Sequence, residues 1–302
     1  MNKKKMNTHK ISGMIFFAIC VTLPIIHFCI FWLGTNTNSF LLAFQNKGEF
    51  TLDWFQMSFE AIFKRGGAME EGSLAEGLKN TLTIFGVSNI FIFPLSVIFS
   101  YFLYKKIALH KFYRVVFFLP SIISAVVFVT LFMNILNGPV SLLLKNLFNM
   151  ESEPLLLTSK KYAFGSVLSY IVWTGLAGNM VIYCGTMSRV PQEVLESGRL
   201  DGLNFFGELF HIVIPLIWPT MSVILLLAVV GIFNADGPIL LMTQGRFGTM
   251  TIGYWIYNQT MIGTAGSLNY GAAVGLTFTL FSIPLSLLCR WIINRIDASV
   301  EY

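Results

Sequence analysis

Six runs of apolar residues, each about as long as a bilayer is thick, constrain this chain more than anything else in it. They cover 11–33, 80–104, 112–136, Ala163–Met187, 212–235 and 270–293. About 20 apolar residues cross the hydrocarbon layer as a helix, with every backbone hydrogen bond satisfied inside the segment. The runs are continuous and do not alternate with period two, which argues against membrane strands. Of the 302 residues, 55% are hydrophobic and 12% are charged. A soluble domain carries about 25% charged residues. A chain this depleted lacks the polar surface to cover a globule, so its solvent is lipid. The expected fold class is an all-α polytopic membrane protein with six transmembrane helices.

The basic residues predict how these helices lie. They cluster at Lys3, Lys4, Lys5 and Lys10, at Lys105, Lys106, Lys111 and Arg114, and at Arg290 and Arg295. Each cluster adjoins an apolar run, where positive charge holds a loop in the cytoplasm. Six spans then place both termini inside. The amino terminus imitates a signal peptide, but its apolar run is too long and no small-residue cleavage site follows, so the expectation is a retained first helix. The chain divides into 1–79 (tail, first span and an external loop), 80–295 (a core of five spans) and 296–302 (a cytoplasmic tail). The external segments are 34–79, whose apolar stretches suggest a packed structure or docking surface, and 237–269, rich in Gly and Thr. Residues 250–259 would form a short external helix.

Several activities are disfavoured. The +5 net charge is explained by topology and does not imply nucleic acid. No Asp, Glu, Lys or Arg sits mid-span, and His27 is the one clear titratable group there, whereas ion-coupled carriers usually place ionisable residues in the membrane. No phosphate-binding Gly-x-x-x-x-Gly-Lys-Ser/Thr loop is present, so any pumping draws on a partner. Cys20, Cys29, Cys184 and Cys289 lie in apolar runs without Cys-x-x-Cys spacing and read as packing residues, with no metal site. No cluster of His, Asp, Glu or Ser suggests a membrane enzyme.

The most informative stretch lies between the fourth and fifth runs: RVPQEVLESGRLDGLNFFGELFHIVIPLIWP, from Arg189 to Pro219. Pro191 and the acids Glu193 and Glu196 suit a helix start. Gly202 suits a left-handed stop, and Asn204 can cap a second helix running into the fifth span. Val190, Val194, Leu195 and Leu200, with the two acids, offer a knob for a partner's groove. An interfacial helix resting on lipid is the other reading.

These residues resemble the signature of ABC-importer permeases, which runs Glu-Ala-Ala, three residues, Gly, nine residues, Ile-x-Leu-Pro. Here it reads Glu196-Ser197-Gly198, Gly202 and Ile212-Val213-Ile214-Pro215, with Asp201 before the glycine. Ser and Gly replace the two alanines, and Ile replaces Leu. LKNTL (78–82), FFLPSIIS (117–124), FNADGPILLMTQG (233–245) and IGYWIYNQ (252–259) are similar to the maltose-type carbohydrate permeases. The resemblance implies a permease subunit of a sugar or oligosaccharide importer in a bacterial inner membrane. Its expected partners are a second homologous permease, a cytoplasmic ATPase dimer and an extracytoplasmic sugar-binding protein. ATP and Mg would be bound by the ATPase and no cofactor by this chain. A cytoplasmic coupling helix between spans four and five would meet the ATPase through Glu193, Glu196, Ser197, Gly198, Asp201 and Gly202. A non-sugar cargo on the same fold, or an ion-coupled carrier, are the alternatives.

Sugars are held by amides, hydroxyls and aromatic faces. By that chemistry and by the resemblance, Trp173, Asn179, Tyr183 and Asn234 are the path candidates, with Asn134 a weaker one. Polar groups in membrane helices also glue helices together, for about 0.6–2 kcal/mol.

Overall fold

Backbone hydrogen bonding decides the architecture: the chain is helical almost throughout. The computed structural model describes residues 3–46, 48–63, 71–234 and 237–297. Six helices are long and apolar enough to cross a membrane. In chain order the elements are α1 (Ser12–Ala43), α2 (Asp53–Phe63), α3 (Leu74–Tyr104), α4 (His110–Ile122), α5 (Ala125–Leu147), α6 (Ala163–Met187), α7 (Gln192–Leu200), α8 (Phe205–Val230), α9 (Gly237–Met242), α10 (Ile252–Ile262) and α11 (Gly266–Ile296). Between α1 and α2 lies a hairpin of two-residue strands, pairing Gln45 with Phe50 and Asn46 with Glu49.

Several boundaries differ from the sequence reading: the third span ends at Leu147 and not 136, the fifth covers Phe205–Val230 and not 212–235, and the sixth covers Gly266–Ile296 and not 270–293. The first helix continues past 33 to Ala43, and α3 begins at Leu74, six residues before Asn80, because Ser73 caps it by accepting the Glu76 N–H at 3.2 Å. The third run, expected as one helix over 112–136, is two. Ile123 and Ser124 are extended, and Ser124 takes the N-cap position of α5, its carbonyl accepting the Phe128 N–H at 2.9 Å. Both residues stand in an otherwise hydrophobic window, so hydropathy registers no interruption there. The terminal segment 298–302, most of the expected cytoplasmic tail, lies outside the described residues.

Among the described residues four π-helical turns interrupt the long helices, at Phe28–Leu33, Ser88–Ile92, Leu136–Val140 and Leu209–Val213. Pro94 and Pro215 each follow such a turn by two residues, and Pro139 lies inside one. Proline donates no N–H and its ring crowds the carbonyl one turn back. A wider turn absorbs that misfit, so each helix continues past its proline.

Two hydrophobic clusters hold the spans. One joins Leu74, Phe128, Phe132, Tyr170, Ile252 and Trp255 at the end where α9 and α10 sit. The other joins Val97, Tyr101, Tyr183, Leu195, Leu209 and Ile217 at the end where α7 sits. The later part of the expected external segment, residues 42–46 and 51–63, packs on the core, in line with what its apolar stretches suggested. The Trp54 Nε1–H and the Asn269 amide both donate to the Gln45 carbonyl, at 2.9 and 2.6 Å, tying it to α11. By contrast α1 is exposed from residue 12 to 41. Bare Phe, Ile and Leu over that length are stable only in lipid or against another subunit.

Candidate functional site

The helix–turn–helix expected between the fourth and fifth spans is present. Pro191, with φ −62° and ψ 132°, directs the chain into α7. Glu193 lies in the first turn and Arg199 in the last, each complementing the helix dipole. Gly202 adopts φ +85°, a conformation costly for any residue with a Cβ, and so ends the helix. Asn204 then accepts the Gly207 N–H at 2.7 Å and starts α8.

α7 has two faces. Leu195 is 1% exposed and belongs to the core. Gly198 is buried beside it, where a Cβ would collide with Ile212 Cδ1 and sit 3.2 Å from Leu203 Cδ1. Outward stand Glu193, Val194, Glu196, Ser197, Leu200 and Asp201, with Leu200 89% exposed. The expected apolar knob is therefore corrected. Leu195 anchors the helix, and Val194 and Leu200 carry the outer hydrophobic surface between acids.

The turn after α7 holds a residue that sequence reasoning missed. Glu208 is 3% exposed in the first turn of α8. Its carboxylate accepts from Lys105, at the end of α3, and from Arg199 Nε, at the end of α7, at 3.2 Å. Tyr101, fully buried, donates its hydroxyl to the Phe205 carbonyl at 3.2 Å and lies under the Lys105 ammonium. Two helix ends and one helix start thus meet on one carboxylate. The signal for it was indirect: an acid among aromatic residues, NFFGELF, with a Lys pair closing the second run.

The path candidates do not converge. Trp173 packs edge-on against Phe128 and tilted against Phe132, with centroids 5.1 and 6.2 Å away. Tyr183 lies in the other cluster, 0% exposed, its hydroxyl without a hydrogen-bond partner among the described residues. It lines no open path in this conformation. Asn179 is half-buried on α6, with a side-chain amide that no described residue takes up, and Asn234 is exposed beyond the end of α8. Asn134 is exposed on α5. Asp236, next in the FNADGPILLMTQG segment after Asn234 and Ala235, lies outside the described residues.

At the opposite end from α7, the LKNTL segment works as a clamp. The Asn80 amide, 5% exposed, donates to the Gly248 and Met250 carbonyls at 3.0 and 2.8 Å, and Thr81 Oγ1 accepts the Ile252 N–H at 3.0 Å. Glu71 accepts the Phe247 N–H at 2.5 Å and pairs with Lys160 at 2.6 Å. Lys160 first, then that N–H, holds the Glu71 carboxyl below the usual carboxylate range. Replacing Asn80 by alanine should cost about 1–3 kcal/mol, because a buried carbonyl and a half-buried one lose their donor. Aspartate should be worse than alanine at neutral pH, since a carboxylate would face those oxygens. Thermal midpoints of the purified variants test this ranking.

Comparison with known proteins places this geometry. Residues 92–302 match the family model described as binding-protein-dependent transport system inner membrane component. The lactose transport system permease protein LacF of Rhizobium radiobacter is 25% identical over 221 residues, covering 70% of this chain and 74% of that protein. The multiple sugar-binding transport system permease protein MsmF of Streptococcus mutans is 22% identical over 243 residues, covering 80% and 82%. A chain of a bacterial ABC transporter involved in the import of the acidic polysaccharide alginate superposes with TM-score 0.80 at 21% identity, over 97% of this chain and 99% of that one, and so shares the fold. With more than two thirds of its length in the match and six membrane-length helices arranged in that fold, this chain belongs to the family of binding-protein-dependent transport system inner membrane components.

Proposed function

We propose that the chain is the permease subunit of an ATP-driven importer for a sugar or oligosaccharide, forming half of the translocation path. Family membership and the sugar-transport names of LacF and MsmF support the cargo class. The observation that carries the coupling role is the construction of α7. It is anchored inward by Leu195, Gly198 and Glu208 while presenting Glu193, Val194, Glu196, Ser197 and Leu200 outward. A short helix fixed to two spans and open on its other face is suited to receive a push.

In this reading a cytoplasmic ATPase dimer binds ATP and Mg and grips α7, with Asp201 and Gly202 at the rim of the contact. A second, homologous permease completes the path. The likeness to an alginate transporter, also solved in complex with an alginate pentasaccharide-bound periplasmic protein, supports an extracytoplasmic sugar-binding protein above. The basic clusters support an orientation with both termini and α7 in the cytoplasm, and the family's description supports a bacterial inner membrane. This chain performs no covalent chemistry of its own. Trp173, Asn179 and Asn234 are proposed contacts along the path. Tyr183 joins them only if the packing around it opens during transport.

Cysteine placed at Glu196 or Leu200 should cross-link to the ATPase in the assembled transporter. Glu196→Lys should abolish sugar-stimulated ATP turnover while membrane insertion stays normal. Sugar-stimulated turnover at the parent rate in Glu196→Lys, together with no cross-link at either position, would refute the coupling role.

A further inference from the structure

The last turns of α3 and the first turns of α4 enclose a groove beside the joint on Glu208. Phe99, Phe102 and Leu103 form one wall, Tyr113 and Phe117 the other, and Ile107 comes from the connecting turn, around a volume of about 340 Å³. Apart from the Tyr113 hydroxyl, the side chains that line it are hydrocarbon. Phe99 stacks on Phe117 with centroids 5.4 Å apart, joining the two walls at the end away from the turn. At 1.5 Å per helical residue, Phe99 lies about 9 Å along α3 from Lys105, and Phe117 about 9 Å along α4 from Lys111. The groove therefore runs from a basic turn into the depth of the acyl chains. Lys106 and Leu109 reverse the chain within that turn at φ 53° and 62°. Left-handed backbone is costly at non-glycine residues; here it lets α4 start beside the end of α3 with a slot between them.

The charge at the mouth is of one sign. Lys105, Lys106, Lys111 and Arg114 fall within ten residues of sequence. Lys106, Lys111 and Arg114 are exposed, and among the described residues their side chains have no hydrogen-bond or ion-pair partner. His110 lies in the same turn, its Nδ1 3.2 Å from the Ile107 carbonyl. The elements packed against this corner bring no free acid. α6 contains no Asp, Glu, Lys, Arg or His. The start of α8 contributes Glu208, taken up by Lys105 and Arg199, and His211, whose Nδ1 is 3.0 Å from the Gly207 carbonyl. Glu193, Glu196 and Asp201 belong to α7 and its end, which packs on α8. The corner thus keeps at least three uncompensated cations at the head of a hydrocarbon slot. Topology accounts for lysines at the end of a span, but not for a slot of this depth beneath them.

We infer that this groove binds one anionic phospholipid from the leaflet on the α7 side, with the upper part of an acyl chain in the slot and the phosphate at Lys106 and Lys111. Basic pockets between membrane helices hold anionic headgroups by this combination of charge and hydrocarbon. A lipid brings both parts in one molecule, and Tyr113, 40% exposed, is an amphipathic ring at the boundary between them. The site goes beyond the importer reading and does not depend on the cargo. Its position has a consequence for that reading: Phe102 stacks on Phe205 at 5.7 Å, so a lipid seated here braces the side of the joint that holds α7.

The full-length chain in detergent, offered equal amounts of dioleoyl-phosphatidylglycerol and dioleoyl-phosphatidylcholine, tests this by native mass spectrometry of the bound lipid. The wild-type chain should retain one phosphatidylglycerol with a preference of about 25-fold, about fivefold for each lysine that reaches the phosphate. Lys106→Gln or Lys111→Gln should each remove about one such factor, and the two together should erase the preference. Arg290→Gln with Arg295→Gln takes the same charge from the end of α11 and should leave it unchanged. Ile107→Trp fills the slot and should weaken both lipids. A preference that survives the double lysine replacement would overturn the inference. An equal fall in the double arginine variant would do so too, because net charge alone would then explain the selectivity. In the assembled transporter, a cysteine at Tyr113 that cross-links to the second permease would also overturn it, by giving the groove to a polypeptide.

Discussion

Glu208→Ala should be the most damaging single substitution in the half of the chain that holds α7. It leaves Lys105, whose side chain is 13% exposed, as a charge without its counter-ion in a site walled by Tyr101 and neighbouring apolar residues. Removing one partner of a buried pair costs about 3–5 kcal/mol, enough to lower the thermal midpoint by about 10 °C. Lys105→Ala should behave similarly, because the carboxylate is then held by Arg199 alone. Arg199→Ala should do much less. Its side chain is 51% exposed, and exposed ion pairs contribute about 0–1 kcal/mol. The double replacement Lys105→Met with Glu208→Leu should recover most of the loss, since well-packed apolar residues commonly match a buried pair in stability. Fluorescence-detected unfolding of the four variants in one detergent gives the ranking. A Glu208→Ala midpoint within a degree of the parent would remove the joint from the account.

Stability and coupling should separate in that series. If the joint also transmits motion, the rescued double variant folds well but couples poorly, because apolar contacts do not hold α7 to α3 with the directionality of a shared carboxylate. Sugar-stimulated ATP turnover in the assembled transporter reads this out. Normal turnover in the double variant would reduce Glu208 to a purely structural residue.

The second large effect is expected at Gly198. The residue faces inward, and its missing side chain lets α7 lie against Ile212 and Leu203. Alanine should be tolerated. The atom it meets first is the end of a flexible isoleucine side chain, and Gly→Ala within a helix regains about 1 kcal/mol of propensity. This agrees with the alanine that the importer signature carries at the same place. Leucine has nowhere to go, and overpacking costs about 1–3 kcal/mol. It should also push α7 off α8, so that sugar-stimulated ATP turnover falls at least tenfold, a change of about 1.4 kcal/mol in coupling. Insertion of the six spans should be unaffected, since none depends on α7. A Gly198→Leu variant that couples like the parent would show that α7 need not seat closely on α8.

Most of the fold was legible because its rules are local. A helix satisfies its own backbone, so a run such as Ala163–Met187 announces itself by hydropathy alone, and the structure returns the same bounds. Gly202 and Asn204 were legible for a similar reason, since stops and caps are made within three or four residues. The break at Ile123–Ser124 was hidden, because an extended pair of residues leaves no mark on a hydropathy window. The site was only half legible. Glu193, Glu196 and Asp201 were proposed from a linear motif, whereas Glu208 was not singled out, because its partners Lys105 and Arg199 come from separate elements.

What the sequence determined by itself, then, was the solvent, the number of spans and the short helix that interrupts them, all consequences of hydrogen bonds and hydrophobicity within one segment. Tertiary structure alone decided which face of α7 turns inward, that one carboxylate joins three helix ends, and that Asn80 of LKNTL clamps the backbone at Met250, 170 residues along the chain. Those outcomes depend on distances between segments, and a pairing across such a separation has no local periodicity to betray it.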